Sequence, residues 1–200
     1  MYPFESLNRT LFLQLNGKPG APPWQVALAV DLADYLILAI PLLLLLMWLR
    51  GGRQGRATAL KALCVTMLAL GIGQLVGVLL PHPRPFMIGL GHAWLAHAPD
   101  ASFPSDHATV FASVALSLLL DGALALAAAS FLAGAAVAWA RIFLGVHFPF
   151  DMLGALLVAA LAAGLLAPLW RRVGARLADQ AERLYRFMFA RLIRAGVLRS

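Results

Sequence analysis

The stretch 123–170, ALALAAASFLAGAAVAWARIFLGVHFPFDMLGALLVAALAAGLLAPLW, decides the fold of this chain. Two apolar runs, 123–143 and 150–170, flank a short segment that carries Arg141, His147 and Asp151. A run of roughly 20 apolar residues can cross a bilayer as a helix, whereas ionisable groups at the edge of hydrocarbon are costly. The stretch therefore predicts two membrane helices with a polar functional site at their junction.

The rest of the sequence repeats this pattern. Hydrophobic residues make up 62% of the chain and charged residues 12%, against about 25% charged in soluble domains. Further apolar runs lie at 25–49, 58–80 and 107–120, of which the last is short. Because a lipid-exposed backbone must satisfy its own hydrogen bonds, these runs predict an all-α, polytopic transmembrane helical bundle of five to six helices.

The two ends of the chain differ from this core, and we expect a single membrane domain with three parts. Segment 1–23 is too short to span; Phe4, Leu7, Leu11 and Phe12 share one helical face. It is predicted to be either an interfacial helix or a packed cap over the bundle. Residues 24–170 form the transmembrane core, and 171–200 form a basic amphipathic tail.

The basic residues predict the orientation. Arg50, Arg53, Arg56 and Lys61 lie between the first two runs, and arginines fill the tail. The positive-inside rule places both regions in the cytoplasm, so loops 81–106 and 144–149, which contain or adjoin every histidine, face outward. Membrane lipids explain the net charge of +7 without a nucleic-acid partner.

The first polar cluster is Pro81-His82-Pro83-Arg84-Pro85-Phe86, at the outer end of the second run. Prolines at alternate positions end a helix and favour an extended turn. A guanidinium held there suits bidentate contact with phosphate. The alternative is an interfacial arginine that reaches toward lipid headgroups.

The second cluster is Ser102-Phe103-Pro104-Ser105-Asp106-His107-Ala108-Thr109, directly before the third run. It predicts a helix start that Ser105 or Asp106 caps. A helix N-terminus attracts anions, so His107 is expected beside any bound anion. The alternative is ordinary capping with a histidine at the membrane interface.

The third cluster is Arg141, His147 and Asp151. An aspartate at this spacing can accept the Nδ1–H of His147, which fixes the tautomer and makes Nε2 more nucleophilic. The alternative is a structural pair that ties two helices together. Because all three clusters lie at outer helix ends, we expect one shared cavity, and its arginines and histidines suit phosphoryl transfer.

A metal site is not predicted. The acidic residues lack the spacing of a magnesium or calcium site. His82, His92 and His97 are too irregularly spaced to indicate zinc, so they are interpreted as surface histidines. We therefore expect neither a metal nor a cofactor.

The three clusters resemble the motifs of the type-2 phosphatidic acid phosphatase superfamily, K-x6-R-P, P-S-G-H and S-R-x5-H-x3-D. Arg84-Pro85 matches the end of the first motif, and Pro104-Ser105-Asp106-His107 matches the second with Asp106 in place of glycine. Arg141, His147 and Asp151 match the third. Two departures are Gly77 at the lysine position and Ala140 at the serine position. The proline-rich variants resemble the bacitracin-resistance branch of undecaprenyl pyrophosphate phosphatases.

The resemblance implies a lipid phosphatase in the bacterial inner membrane, with its site facing the periplasm and its C-terminus in the cytoplasm. His147 would be the nucleophile that forms a phosphohistidine, Asp151 would orient it, and His107 would be the general acid. Phosphate would be bound by three residues, namely Arg84, Ser105 and Arg141. The implied substrate is undecaprenyl pyrophosphate, a polyprenyl lipid phosphate.

Several alternatives stay open at this point. The substrate could be phosphatidylglycerol phosphate, phosphatidic acid or lipid A. Gly77 and Ala140 favour a catalytically degenerate protein that binds or transports lipid phosphates. Asp106 is expected either to point away as a cap or to tune His107. Gly73 and Gly77 indicate close helix packing within or between chains, so the oligomeric state is not predicted.

Overall fold

The computed structural model describes residues 3–194, which contain helices and loops and no strand. The helices are α1 (Pro3–Leu15), α2 (Pro23–Asp34), α3 (Ala39–Arg50), α4 (Arg53–Leu79), α5 (Asp106–Leu120), α6 (Leu124–Phe143), α7 (Pro149–Met188) and α8 (Ala190–Arg194). The predicted helical membrane bundle is confirmed. Pro23–Arg50, α4, α6 and α7 are long and apolar enough to cross a membrane, and α5 is a shorter apolar helix.

The first apolar run is interrupted rather than continuous. A 3-10 turn, Leu36–Leu38, separates α2 from α3. Pro41 follows the turn and has no N–H to donate to the carbonyl of Ile37, which explains why the α-helical ladder breaks there. The two helices together still form one span.

Helix α5 lies at the centre and packs against α4, α6 and α7. Its 15 residues rise only about 22 Å, less than the roughly 30 Å of a hydrocarbon core. Nine of them are buried, from Ala108 to Leu118. A helix this short is tolerated because neighbouring helices, rather than lipid, surround it.

Helix α1 is a packed cap on the bundle. Its inward face carries the buried residues Asn8 and Phe12, and the buried Asn16 follows directly after the helix. Phe12 stacks on Phe148 with ring centroids 5.3 Å apart, and the Asn16 amide donates to the carbonyls of residues 92 and 143 at 2.9 Å. Phe4 is 76% exposed and Leu7 is 49% exposed, whereas Phe12 is fully buried.

Helix α7 continues without a break across the predicted boundary at residues 170 and 171. Its 40 residues, with Pro168 inside, extend about 60 Å, twice the thickness of the hydrocarbon core. The extension is held by Arg53–Asp179 at 2.7 Å and Arg56–Glu182 at 2.8 Å, both from the start of α4. The basic tail is thus largely part of α7, and residues 195–200 lie outside the described residues.

The helices alternate in direction, so the loops sort into two ends. Residues 80–105 and 144–148 lie at one end, named here the site end. Residues 51–52 and 121–123 lie at the other, the basic end, where Asp121 accepts from Lys61 at 2.5 Å and from Thr58 at 2.7 Å. All three polar clusters therefore lie at the site end, as the sequence predicted.

Candidate active site

The loop 101–105 forms a wedge between α4 and α7 and determines where α5 begins. A Cβ at Gly73 would lie 3.3 Å from Pro104, and a side chain at Gly154 would collide with Phe103. The wedge is also tied by the Ser102 N–H, which donates to the His82 carbonyl at 2.8 Å. Glycines on both helices thus let the loop approach closely.

Gly73 and Gly77 serve this intramolecular contact. A Cβ at Gly77 would touch Ala101 at 3.4 Å, so Gly77 also packs against the wedge rather than against a second helix. Ala140, the other departure from the family motifs, is buried beside Ala29 and Ala33 of α2. It is not among the residues that line the cavity described below.

Helix α6 ends in a left-handed turn that presents His147. Gly145 has φ +83°, and a Cβ there would collide with the His92 carbonyl, so the turn requires glycine. The backbone then reaches Phe148, the residue before α7, whose N–H donates to Asp151 Oδ2 at 2.8 Å. The aspartate therefore both caps the start of α7 and faces the histidine.

Asp151 Oδ2 is the centre of a buried hydrogen-bond cluster. His147 Nδ1 lies 3.1 Å from it, and the Ser102 hydroxyl donates to it in a short hydrogen bond. The His147 and Asp151 side chains are 2% and 1% exposed. With the Phe148 N–H, three donors converge on one carboxylate oxygen, which holds the side chain of Asp151 in place beside His147.

Arg84 fixes the tautomer of His147. Its Nη1 lies 3.0 Å from His147 Nε2 and also donates to the Val146 carbonyl at 3.0 Å. A guanidinium can only donate, so Nε2 must be the acceptor and the proton of the neutral ring must be on Nδ1. Nε2 is therefore the unprotonated nitrogen, the one that can act as a nucleophile once Arg84 moves away.

Burial lowers the pKa of His147 to about 4, against the opposing effect of its hydrogen bond to Asp151. The nearby charges of Arg84 and Arg141 lower the pKa further. The imidazole is thus neutral at pH 7. A neutral ring with Nδ1–H on a carboxylate is the reactive form for attack through Nε2.

These groups open into a cavity of about 480 Å³ at the site end. Arg84, Arg141, His107 and His147 line it, and Ser105 lies fully buried at its edge. Arg141 Nε and Ser105 Oγ are buried and have no hydrogen-bond partner among residues 3–194. Unsatisfied buried donors of this kind are what a bound anion would satisfy.

Two predictions about the second cluster need correction. The Ser105 side chain makes no capping hydrogen bond at the start of α5. Asp106 neither caps the helix nor points away; it lines the cavity and accepts from Gln74 Nε2 at 3.1 Å through both carboxylate oxygens. The carboxylate is therefore compensated by an amide rather than by a cation.

The interpretation of His97 as a surface residue is wrong. His97 lines the cavity, and its Nε2 lies 3.4 Å from Arg141 Nη2. Burial, together with the charges of Arg84 and Arg141, holds its pKa below the ordinary value despite a backbone hydrogen bond. His97 therefore adds a neutral acceptor to the arginine side of the cavity.

Asp100 and Gln74 are site residues that the sequence interpretation missed, and Ser102 lies in the predicted second cluster, where no role was assigned to it. Asp100 Oδ1 accepts from Arg84 Nε at 2.8 Å; burial alone would raise the pKa of Asp100, but Arg84 holds it below the ordinary value. No motif marks these three residues. Among the described residues, no three His, Cys, Asp or Glu side chains are grouped to hold a metal ion.

The PAP2 superfamily model matches residues 58–174, more than half of the chain and the part that builds this cavity. The chain belongs to the PAP2 superfamily. This confirms the resemblance drawn from the three motifs.

Two relatives of this PAP2 chain carry diphosphatase names. The Escherichia coli (strain K12) protein YbjG, whose name gives a provisional undecaprenyl-diphosphatase assignment, is 37% identical over 98% of this chain and 99% of its own length. The undecaprenyl-diphosphatase BcrC of Bacillus subtilis (strain 168) is 32% identical over 76% of this chain and 79% of its own.

Two solved structures share the fold. Aquifex aeolicus LpxE superposes with a TM-score of 0.66 at 23% identity, covering 80% of this chain and 93% of its own. The PAP2-type phosphatidylglycerolphosphate phosphatase of Bacillus subtilis superposes with a TM-score of 0.62 at 19% identity, covering 86% and 89%. Family, relatives and spans together make this PAP2 protein a multi-pass membrane lipid phosphatase.

Proposed function

We propose that the substrate of this lipid phosphatase is undecaprenyl diphosphate, which it hydrolyses to undecaprenyl phosphate and inorganic phosphate. The observation that carries the proposal is the buried His147–Asp151 pair, which shares one cavity with Arg84 and Arg141 at the end of an apolar bundle. The diphosphatase names of two relatives support the choice of lipid.

In the first half-reaction, His147 Nε2 attacks the terminal phosphorus. An N–P bond forms, the P–O bond to the lipid phosphate breaks, and His107 donates a proton to the leaving oxygen. Asp151 holds the Nδ1–H and stabilises the positive ring. In the second half-reaction, water attacks the phosphorus of the phosphohistidine and His107 accepts a proton from the water. The N–P bond breaks, His147 returns to the neutral form, and inorganic phosphate leaves.

Arg84, Arg141 and Ser105 are proposed to bind the equatorial oxygens of the phosphoryl group. Arg84 Nη1 contacts His147 Nε2, so it must turn from the nucleophile to the phosphate as substrate binds. The unpartnered Arg141 Nε and Ser105 Oγ are already buried at the cavity without other hydrogen bonds among residues 3–194. Positioning and electrostatic stabilisation by such groups are the main needs of phosphoryl transfer.

We further propose that the site end faces the periplasm from the bacterial inner membrane and that the C-terminus is cytoplasmic. The separation of the charges supports this, because the basic end carries Arg50, Arg53 and Arg56 and the α7 extension. The reaction scheme uses only side chains, and we propose that it needs neither a metal nor a cofactor.

The test is inorganic phosphate release from undecaprenyl diphosphate by detergent-purified protein in excess EDTA. We expect release by the native chain and none by His147→Ala. His92→Ala is the matched control, because His92 stacks on Trp94 at the site end but does not line the cavity. Equal phosphate release by the His147→Ala and native proteins would refute the mechanism.

The same assay decides between substrates. The assay uses one detergent mixture in which four substrates compete, namely undecaprenyl diphosphate, phosphatidylglycerol phosphate, phosphatidic acid and lipid A. We expect undecaprenyl diphosphate to have the highest kcat/KM. Release from none of them would favour the binding or transport function. Gly77 favours that alternative, because no lysine lines the cavity among the described residues.

A further inference from the structure

Ser102 is a fully buried hydroxyl at the centre of the candidate site, outside the three motifs. Its Oγ donates to Asp151 Oδ2, the oxygen that also receives His147 Nδ1. Its Oγ also lies 3.4 Å from His147 Nδ1 itself. The serine therefore touches both members of the pair, although it does not line the cavity where the substrate binds.

The position of this hydroxyl is set by the backbone rather than by chance packing. The Ser102 N–H donates to the His82 carbonyl at 2.8 Å, and the next residue, Phe103, packs against Gly154 of α7. The serine is thus anchored to the loop before Arg84 and to the helix that carries Asp151. An anchored donor holds the carboxylate in the rotamer that faces His147.

A donor to this oxygen has a specific chemical consequence. Attack through Nε2 makes the His147 ring positive, and the Asp151 carboxylate must then stay aligned with Nδ1–H. The two other donors to Oδ2 are the Phe148 N–H, which belongs to the helix cap, and the imidazole itself. Ser102 is the one side-chain hydroxyl in the described cluster that can hold the carboxylate while the ring changes charge.

We propose that Ser102 is a positioning residue for the His147–Asp151 pair and acts on the rate of phosphoryl transfer rather than on phosphate binding. The proposal rests on the proposed function, in which His147 is the nucleophile. In this proposal, Ser102 and Asp151 together orient the His147 imidazole, instead of Asp151 alone.

The experiment compares Ser102→Ala, Ser102→Cys and Ser102→Thr with the native protein. We expect kcat to fall about 10- to 100-fold in the alanine variant, the range for losing a hydrogen bond to a charged group. Cysteine keeps the size but donates weakly, so it should resemble alanine, whereas threonine keeps the hydroxyl and should recover most of kcat. KM should change by less than about twofold in all three.

Binding of inorganic phosphate separates positioning from a structural role. The neighbouring Ala101 carbonyl, which belongs to the wedge, accepts from Arg84 Nη2 at 3.2 Å. If the serine only supported the wedge, its loss would displace Arg84 and weaken phosphate binding. We expect the Kd for inorganic phosphate, from a 31P NMR titration, to be unchanged in Ser102→Ala.

Ser113→Ala is the matched control. Ser113 is also fully buried, lies in the middle of α5, and its Oγ has no hydrogen-bond partner among residues 3–194. Its replacement should leave kcat unchanged. The kcat of each variant is divided by its folded fraction, which is measured by thermal unfolding. If Ser102→Ala folds poorly, the comparison of Ser102→Cys with Ser102→Thr still tests the proposal.

The outcomes keep the two proposals apart. A native protein that releases no phosphate from any lipid phosphate overturns the proposed function. A native protein that is active, with Ser102→Ala or Ser102→Cys at native kcat, overturns the role of Ser102 alone. A fall in kcat that comes with weaker phosphate binding also overturns it, because the wedge would then be the cause.

Discussion

Replacing Asp100 with asparagine is expected to tighten the binding of inorganic phosphate. The Asp100 carboxylate accepts from Arg84 Nε at 2.8 Å and is 62% exposed at the cavity rim. Arg84 has five N–H donors, and the other engaged ones contact Val146, His147 and Ala101. An incoming phosphate therefore competes with Asp100 for the guanidinium and is also repelled by its charge.

The size of the effect follows from the exposure of Asp100. At about 4 Å two unit charges interact by about 1 kcal/mol in water and more in a buried site, and a side chain this exposed lies near the water limit. The ion pair with Arg84 contributes a similar or smaller amount. Removing the charge should therefore lower the Kd for phosphate about fivefold.

The assay is a 31P NMR titration of inorganic phosphate into native and Asp100→Asn protein at equal ionic strength, because salt screens the exposed carboxylate. Asp179→Asn is the matched control, since Asp179 pairs with Arg53 at 2.7 Å at the opposite end of the molecule. A Kd that rises in Asp100→Asn would refute the reasoning. It would mean that Asp100 holds Arg84 in its binding orientation rather than competing for it.

Three further predictions concern other parts of the molecule. The pKa of His147 in the folded protein is about 4, below the ordinary 6.5, so the unfolded chain binds more protons between these pH values. The stability measured by thermal unfolding should therefore fall as the pH drops from 6.5 to 4. It should fall less steeply in His147→Gln. Gly77→Lys should lower the Kd for phosphate about fivefold, because a Cβ there makes only ordinary contacts and the ammonium reaches the cavity. Gly77→Met should leave the Kd unchanged in the same titration. Phe12→Ala should cost about 3 kcal/mol of stability and lower the Tm by about 10 °C, since its ring is fully buried against Phe148; an unchanged Tm would show that α1 is not docked.

The membrane bundle and the three clusters could be predicted because both depend on local sequence. Apolar runs indicate the helices, and Arg84, His107 and His147 lie at the ends of those runs. Because consecutive spans run in opposite directions, the helix ends that carry these residues lie on the same side of the bundle. The end of the last span was predicted from the arginines after 170, but charge ends a span without ending a helix. Ion pairs from Arg53 and Arg56 support α7 beyond that point.

The contacts of Asp100, Ser102 and His97 could not be predicted because these residues lie in an irregular loop. Their positions depend on contacts with Gly73 and Gly154, which are distant in sequence. Periodicity, which locates helices, carries no information about such a path. A buried serine that contacts a catalytic pair and one that caps a turn look the same in a sequence.

The contact between Arg84 and His147 limits the reactivity of the imidazole. The Nε2 lone pair accepts a hydrogen bond from the guanidinium, so it is not available to electrophiles while this contact is made. Histidine-directed reagents such as diethyl pyrocarbonate should therefore find a masked target. An anion that draws the guanidinium away unmasks the nitrogen, so the nucleophile becomes reactive only when a phosphate is present to receive it.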